Sequence, residues 1–461
     1  MRRLAALLIA LLVLGTVVPA AAAPRPTGWQ THEGTIDGAD YLVKVPHRWN
    51  GTLVLYSHGY YPERYGLPED ILLATAPGAE KWLLEHGYAL AASNFANPYG
   101  FAVEDGLTDQ VALLDWFRKN VGKPRRTLSS GMSQGGGIAI LLAERHPRLF
   151  DGVLAACSEY DFNGTWNTAL DVNFATRTLL TDDDTIELVR PANAEASVAA
   201  LSGAITDARD DAPGQARIAL IGALGNISPW AAAHQPAPTD PTTKIQQMAN
   251  WIDGAYTQGV GPIGRVDLEA RAGGNPSWNV GVDYARQLAK SEYRDLVVAA
   301  YANAGLDLNA DLAELAAAPR ISPDPKALKY MYSYGVPRAT NPVPTISLHN
   351  THDGGAVVDQ TGWYADQVDR FGNPSKLRQV YVNRGNHCAY SAAEEITALR
   401  TVERRAETGR WPDTRPGTLN AAAARFGAEY HEVKDLFTWE DEPMPPAFVE
   451  FEPPTFLRPS R

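Results

Sequence analysis

Seven residues, Gly131-Met-Ser-Gln-Gly-Gly-Gly137, carry four glycines between a strand-forming run at 126–130 and a helix-forming run at 138–145. Each glycine in a helix costs about 1 kcal/mol against alanine. A chain that opens a helix on three of them needs its backbone close to something at that point. The segment therefore reads as the middle of a strand–turn–helix unit, and the rest of the chain has to supply units like it. Strands are expected at 31–36, 41–45, 51–57, 88–93 and 150–157, with helices at 78–86 and 103–121. The second helix places Val111, Leu114 and Phe117 on one face. Strands alternating with helices build a mostly parallel sheet covered on both faces. The fold class is thus α/β.

The alternation stops near residue 158 and resumes with a strand at 343–348, a helix at 356–371, a strand at 377–382 and a helix at 391–408. The stretch between is helical in pattern with Pro and Gly breaks, and it is too long for a loop. It reads as a large helical cap, 158–341, inserted between two strands of a core formed by 24–157 and 342–461. The Pro-rich tail from Trp411 carries Phe448, Phe451 and Phe456, which are expected to pack on that core.

Composition narrows the partners. The 461 residues are 45% hydrophobic and 20% charged, ordinary values for a globular chain. A net charge of −12 repels phosphates, so no nucleic-acid partner is expected. Two cysteines are too few for a disulfide framework or a structural zinc site, and enough for one bridge. Arg2 and Arg3, an apolar run at 4–18 and Ala20 to Ala22 form a signal peptide, 1–23, with cleavage near Ala22 or Ala23. The run is short for a bilayer span of about 20 apolar residues. An exported protein without a stable membrane anchor is expected. Asp307-x-Asn309-x-Asp311 begins like a calcium loop but has Leu312 and Ala318 where Gly and Glu are required, so no metal is expected. Thr181 followed by Asp182-Asp-Asp184 reads as a capped helix start. Asn163 and Asn226 begin glycosylation sequons.

Gly131-x-Ser133-x-Gly135, set between a strand and a helix, resembles the nucleophile elbow of the α/β-hydrolase superfamily. No Lys-Ser or Lys-Thr follows, which excludes a phosphate loop. The resemblance covers the core, about half of the chain, and leaves out the cap. It implies the α/β-hydrolase fold and the chain order nucleophile, acid, histidine, with an oxyanion segment upstream. Ser133 then takes the nucleophile position. Tyr56-Ser-His58-Gly59-Tyr60 looks like the oxyanion segment, with the N–H of Tyr60, or of Gly59, joining that of Gln134; the His58 side chain is read as structural. Asp353, past the strand at 343–348, takes the acid position, and Asp161 is its rival. His387, past the strand at 377–382, takes the base position in preference to His431. His349 and His352 are read as loop or pocket residues.

Cys388 directly follows His387. This is similar to the tannase and feruloyl-esterase branch, where a cysteine beside the nucleophile is bridged to one beside the histidine. Met132 stands in the first of those positions, so half of that pattern is missing and polyphenol-ester specificity is not carried over. The remaining cysteine, Cys157, ends a strand on the same sheet edge. A Cys157–Cys388 bridge pinning the histidine loop is expected, with two buried free thiols as the other reading.

The reaction expected is hydrolysis of a small or oligomeric carboxylic ester through an acyl-enzyme, without a cofactor. Trp166, Trp230, Trp251 and Trp278 of the cap are candidates for an apolar pocket wall. An aminopeptidase or amidase with the same triad is the alternative. An aminopeptidase needs a cap carboxylate for a free amine, and Glu187, Glu195, Glu269, Glu292 and Glu314 are available. A non-catalytic binding protein is disfavoured, because all three triad residue types stand in order.

Overall fold

The structure, a computed structural model, describes residues 28–461. The expected signal peptide at 1–23 lies outside the described residues. No helix among them is long and apolar enough to cross a membrane.

The apolar runs form strands, and their burial follows their composition. β1 (Trp29–Ile36) and β2 (Ala39–Pro46) form an antiparallel hairpin in register from Trp29↔Pro46 to Ile36↔Ala39. β1 lies at the sheet edge and is largely exposed. β3 (Thr52–Ser57), β4 (Ala89–Ser93) and β6 (Gly152–Ala156) are buried at every residue, as expected of strands covered on both faces. β5 (Arg126–Met132), β7 (Thr345–His352) and β8 (Leu377–Gly385) complete the parallel part. The full order is β1-β2-β4-β3-β5-β6-β7-β8-β11, where β11 (Phe448–Val449) adds antiparallel to β8. β9 (Glu432–Lys434) and β10 (Asp441–Pro443) pair separately.

Helices α1 (Pro77–Glu85), α2 (Val103–Asn120) and α3 (Gln134–Arg145) cover the first half of the sheet. Between β6 and β7 run α4 (Phe162–Leu180), α5 (Ala194–Ala208), α6 (Ala212–Leu224), α7 (Pro241–Trp251), α8 (Pro262–Ala272), α9 (Tyr284–Leu288), α10 (Arg294–Ala304), α11 (Leu308–Ala317) and α12 (Pro325–Tyr334). α13 (Asp359–Phe371), α14 (Ala392–Thr408) and α15 (Pro416–Ala423) follow in the second half. The inserted helices share an apolar cluster of their own, with Leu170, Phe174, Leu201, Leu220 and Trp251 among its members. α4 is its axis and is buried almost throughout.

One expectation fails here. Thr181 and Asp182-Asp-Asp184 start no helix. Thr181 Oγ1 accepts from the Asp183 N–H and Asp183 from the Thr185 N–H, so these side chains close turns on their own backbone. The next helix begins at Ala194, capped by Asn193. The sequons are closed off, because Asn163 and Asn226 are both buried.

The tail closes the second half. Phe448 and Phe456 are buried as expected, and Phe451 packs on Tyr381. Beyond Phe456, Arg458 donates to Asp171 on α4 at 2.7 Å and to the carbonyl of Trp278. Ser460 donates from N–H and Oγ to Asp161. The segment 455–461 thus straps the inserted helices to the core.

Candidate active site

In a parallel sheet the loops at the carboxyl ends of the strands gather along one edge. Here they bring together residues from five strand ends: β3 leads to His58–Tyr60, β5 to Ser133, β6 to Cys157 and Glu159, β7 to Asp353 and β8 to His387.

Ser133 stands between β5 and α3 with φ 53 and ψ −128, a conformation that non-glycine residues rarely adopt. The flanking glycines show what enforces it. A Cβ on Gly131 would lie 2.2 Å from the carbonyl oxygen of Gly135, and one on Gly135 would lie 2.0 Å from that of Ser57. The turn is pressed against its own helix and the end of β3, which leaves no room for a side chain. The glycines following Gly135 pack α3 against Ser158 and Phe162 beyond β6. The cost of glycine in the helix is offset by this close approach.

His387 Nε2 lies 2.9 Å from Ser133 Oγ. His387 Nδ1 lies 2.8 and 2.9 Å from the two carboxylate oxygens of Asp353. Asp353 is buried, and its Oδ1 also accepts the N–H groups of Gly355 and Ala356, which fix its orientation. Burial disfavours a charged His387, but the charge and hydrogen bond of Asp353 outweigh it, and Glu159 adds to them. The His387 pKa is raised as a result. The order of elements carrying Ser133, Asp353 and His387, the elbow between β5 and α3, and the helical insertion after β6 agree on one architecture. This is the α/β-hydrolase fold.

Among the described residues, the N–H groups of Tyr60 and Gln134 have no backbone acceptor, and both residues line the cavity that holds Ser133. Gly59 packs against Ser133, with room for a Cβ only 3.3 Å from that of the serine. His58 is buried with Nδ1 2.7 Å from the Gly59 carbonyl, and burial lowers its pKa to about 4, so it stays neutral. Cys157 and Cys388 are bonded, with Cα atoms 5.2 Å apart. The bridge fastens the end of β6 to the residue after His387. Asp161 does not approach His387. It caps α4 through the Gly164 N–H and receives Ser460. His349 sits behind Asp353, with Nε2 2.8 Å from the Ala356 carbonyl. His431 packs near Phe426 and is remote from the cavity.

The cavity over Ser133 has a volume of about 690 Å³. Trp166 and Trp251 line it, but Trp230 and Trp278 do not. Trp230 is tied by its indole N–H to the carbonyls of Ala232 and Gln235, and Trp278 lies under Arg458. None of the five cap glutamates considered from sequence lines the cavity. A carboxyl that the sequence reading passed over does. Glu159 stands two residues beyond Cys157 beside Ser133, and burial lifts its pKa to about 7 against the opposing charge of His387. Nothing local in Ser158-Glu-Tyr160 marks it. Only the fold brings it to Ser133.

No family model matches the chain. It is similar to the o-phthalyl amidase of Xanthobacter agilis, at 28% identity over 423 residues, covering 84% of this chain and 89% of that one. Solved structures similar to it include a feruloyl esterase B from Aspergillus oryzae (15% identity, 82% and 80% of the two chains, TM-score 0.37). An esterase from Pyrococcus furiosus is another (11% identity, 84% and 91%, TM-score 0.37). The sheet order and the elbow between β5 and α3 define the fold.

Proposed function

We propose that the protein is a serine hydrolase that cleaves carboxylic esters through Ser133, His387 and Asp353. The observation that carries this reading is the continuous contact from Ser133 Oγ to His387 Nε2 and from His387 Nδ1 to Asp353. Ser133 Oγ attacks the acyl carbon as His387 Nε2 takes its proton, and Asp353 holds the ring and stabilises the imidazolium. The oxyanion settles between the N–H groups of Tyr60 and Gln134. Losing one donor from such a hole costs about 3 kcal/mol. As the acyl–oxygen bond breaks, His387 gives its proton to the leaving alcohol. Water then attacks the acyl-enzyme with His387 again as base, releasing the acid and restoring Ser133.

The aromatic lining of the cavity suits an apolar or aromatic ester. Amide cleavage by the same groups is the second reading, favoured by the similarity to an amidase. The chain is read as exported, on the strength of its signal-like first 23 residues and the Cys157–Cys388 bridge. A panel of p-nitrophenyl esters and aminoacyl p-nitroanilides, with fluorophosphonate labelling of Ser133, tests the assignment. Ester turnover with Ser133 labelled is expected. Anilide turnover exceeding that of matched esters would establish the amidase reading, and labelling at another residue would overturn the triad.

A further inference from the structure

The charge lining the cavity over Ser133 is one-sided. Its walls are aromatic, with Phe162, Trp166, Trp251, Tyr256, Phe437 and Trp439 among them. Among the described residues, no lysine or arginine lines it, and its carboxyl is that of Glu159. The guanidinium of Arg265 lies behind Trp166, where it donates to the Trp166 carbonyl and to Asn275 and Ser277, closed off from the space. Asp353, on the far side of His387, adds a second negative group to the site.

The Glu159 carboxyl stands within hydrogen-bonding reach of the Ser133 hydroxyl, and among the described residues its buried Oε2 has no partner. A buried carboxyl oxygen without a partner is costly, and such an orphan calls for an explanation. Aromatic faces around one carboxylate are a setting that takes a cation, through its charge and through the ring quadrupoles. An anionic group would meet two carboxylates, with no lysine or arginine in the lining to offset them.

We propose that Glu159 is a specificity-determining residue that binds an ammonium group carried by the acyl half of the substrate, one or two carbons from the scissile carbonyl. The inference rests on the serine-hydrolase reading, because the position of Ser133 fixes where the acyl carbon sits. Ser133 Oγ bonds to that carbon, so a cation held by the carboxyl beside Ser133 belongs to the acyl group and lies near its carbonyl. The substrate class is then amino-substituted acyl esters, or the corresponding amides.

The test compares three methyl esters of one skeleton: methyl hydrocinnamate, phenylalanine methyl ester with an added ammonium, and monomethyl benzylmalonate with an added carboxylate. Their kcat/KM values are measured for the wild type, Glu159→Gln and Glu159→Asp, with fluorophosphonate labelling of Ser133 in each as the check on folding. The wild type is expected to prefer the ammonium ester to the neutral one by about 10-fold or more, the effect of a charged hydrogen bond. Glu159→Gln should shrink that preference about 10-fold, and Glu159→Asp should retain part of it. A preference near one in the wild type, an equal loss on both esters in Glu159→Gln, or fastest turnover of the malonate would overturn the inference. So would labelling of Ser133 without hydrolysis of any of the three, while leaving the nucleophile in place. Absence of both labelling and hydrolysis would overturn the serine-hydrolase reading as well.

Discussion

Ser133 is held in a backbone conformation it would not choose, and its hydroxyl meets His387 at 2.9 Å as a consequence. On the proposed mechanism Ser133→Ala removes the attacking atom and should lower kcat about 10⁶-fold, as in comparable triads. Asp353→Asn keeps the shape but loses the charge that selects the His387 tautomer. It should lower kcat about 10⁴-fold, read in the same steady-state assay. The pH profile follows from His387. Only the neutral ring accepts the serine proton, and its pKa is raised, so kcat/KM should fall as pH drops through a value above the ordinary histidine range. An acid limb at or below that range would contradict the Asp353–His387 contact. Ser133, Asp353 and His387 could be singled out in the sequence because each follows a recognisable strand in a fixed order. Glu159 could not, because its significance lies in a distance across the sheet edge that no spacing encodes. The reverse error fell on Trp230 and Trp278, whose aromatic character is spent on local hydrogen bonding and on Arg458.

Among the elements, the turn around Gly135 and the bridge at Cys388 are the most constrained. Gly135→Ala drives a methyl group into the carbonyl oxygens of Ser57 and His58, both backbone atoms that cannot rotate aside. A destabilisation of about 3 kcal/mol is expected, measured by denaturant unfolding. The disulfide joins cysteines 231 positions apart, and chain-entropy arguments set its contribution at no more than about 5 kcal/mol. Mass spectrometry of the denatured, unreduced protein should find no alkylatable thiol, and finding two would remove the bridge. The buried strands were legible because a strand covered on both faces reads as an unbroken apolar run, as Leu53 to Tyr56 does. β9, β10 and β11 were not, because two or three residues are too few to show a period. The turn after α4 was misread for a related reason. Thr and Asp bond to nearby backbone whether or not a helix follows, and here the bonds close on Asp183 and Thr185.

At the scale of the whole molecule, the inserted helices and the sheet are held together by buried ionic contacts as well as apolar packing. Arg458 reaches Asp171 in the interior, where Tyr284 and Gln287 also donate to the same carboxylate. Arg458→Ala would leave that charge without its cation and should cost about 3–5 kcal/mol, read as a lower unfolding midpoint. The Cys157–Cys388 bond has a separate, topological consequence. It closes 157–388 into a covalent ring that contains the inserted helices, Asp353 and His387, with Ser133 on an arm outside it. A protease cut in the exposed stretch at 235–240 opens the ring without dividing the molecule, so the pieces migrate as one band until reductant separates them into two. A cut in either arm, at 28–156 or 389–461, has no second covalent path and divides the chain at once. The helices over the site can therefore be nicked while the serine, the acid and the histidine remain parts of one covalent molecule.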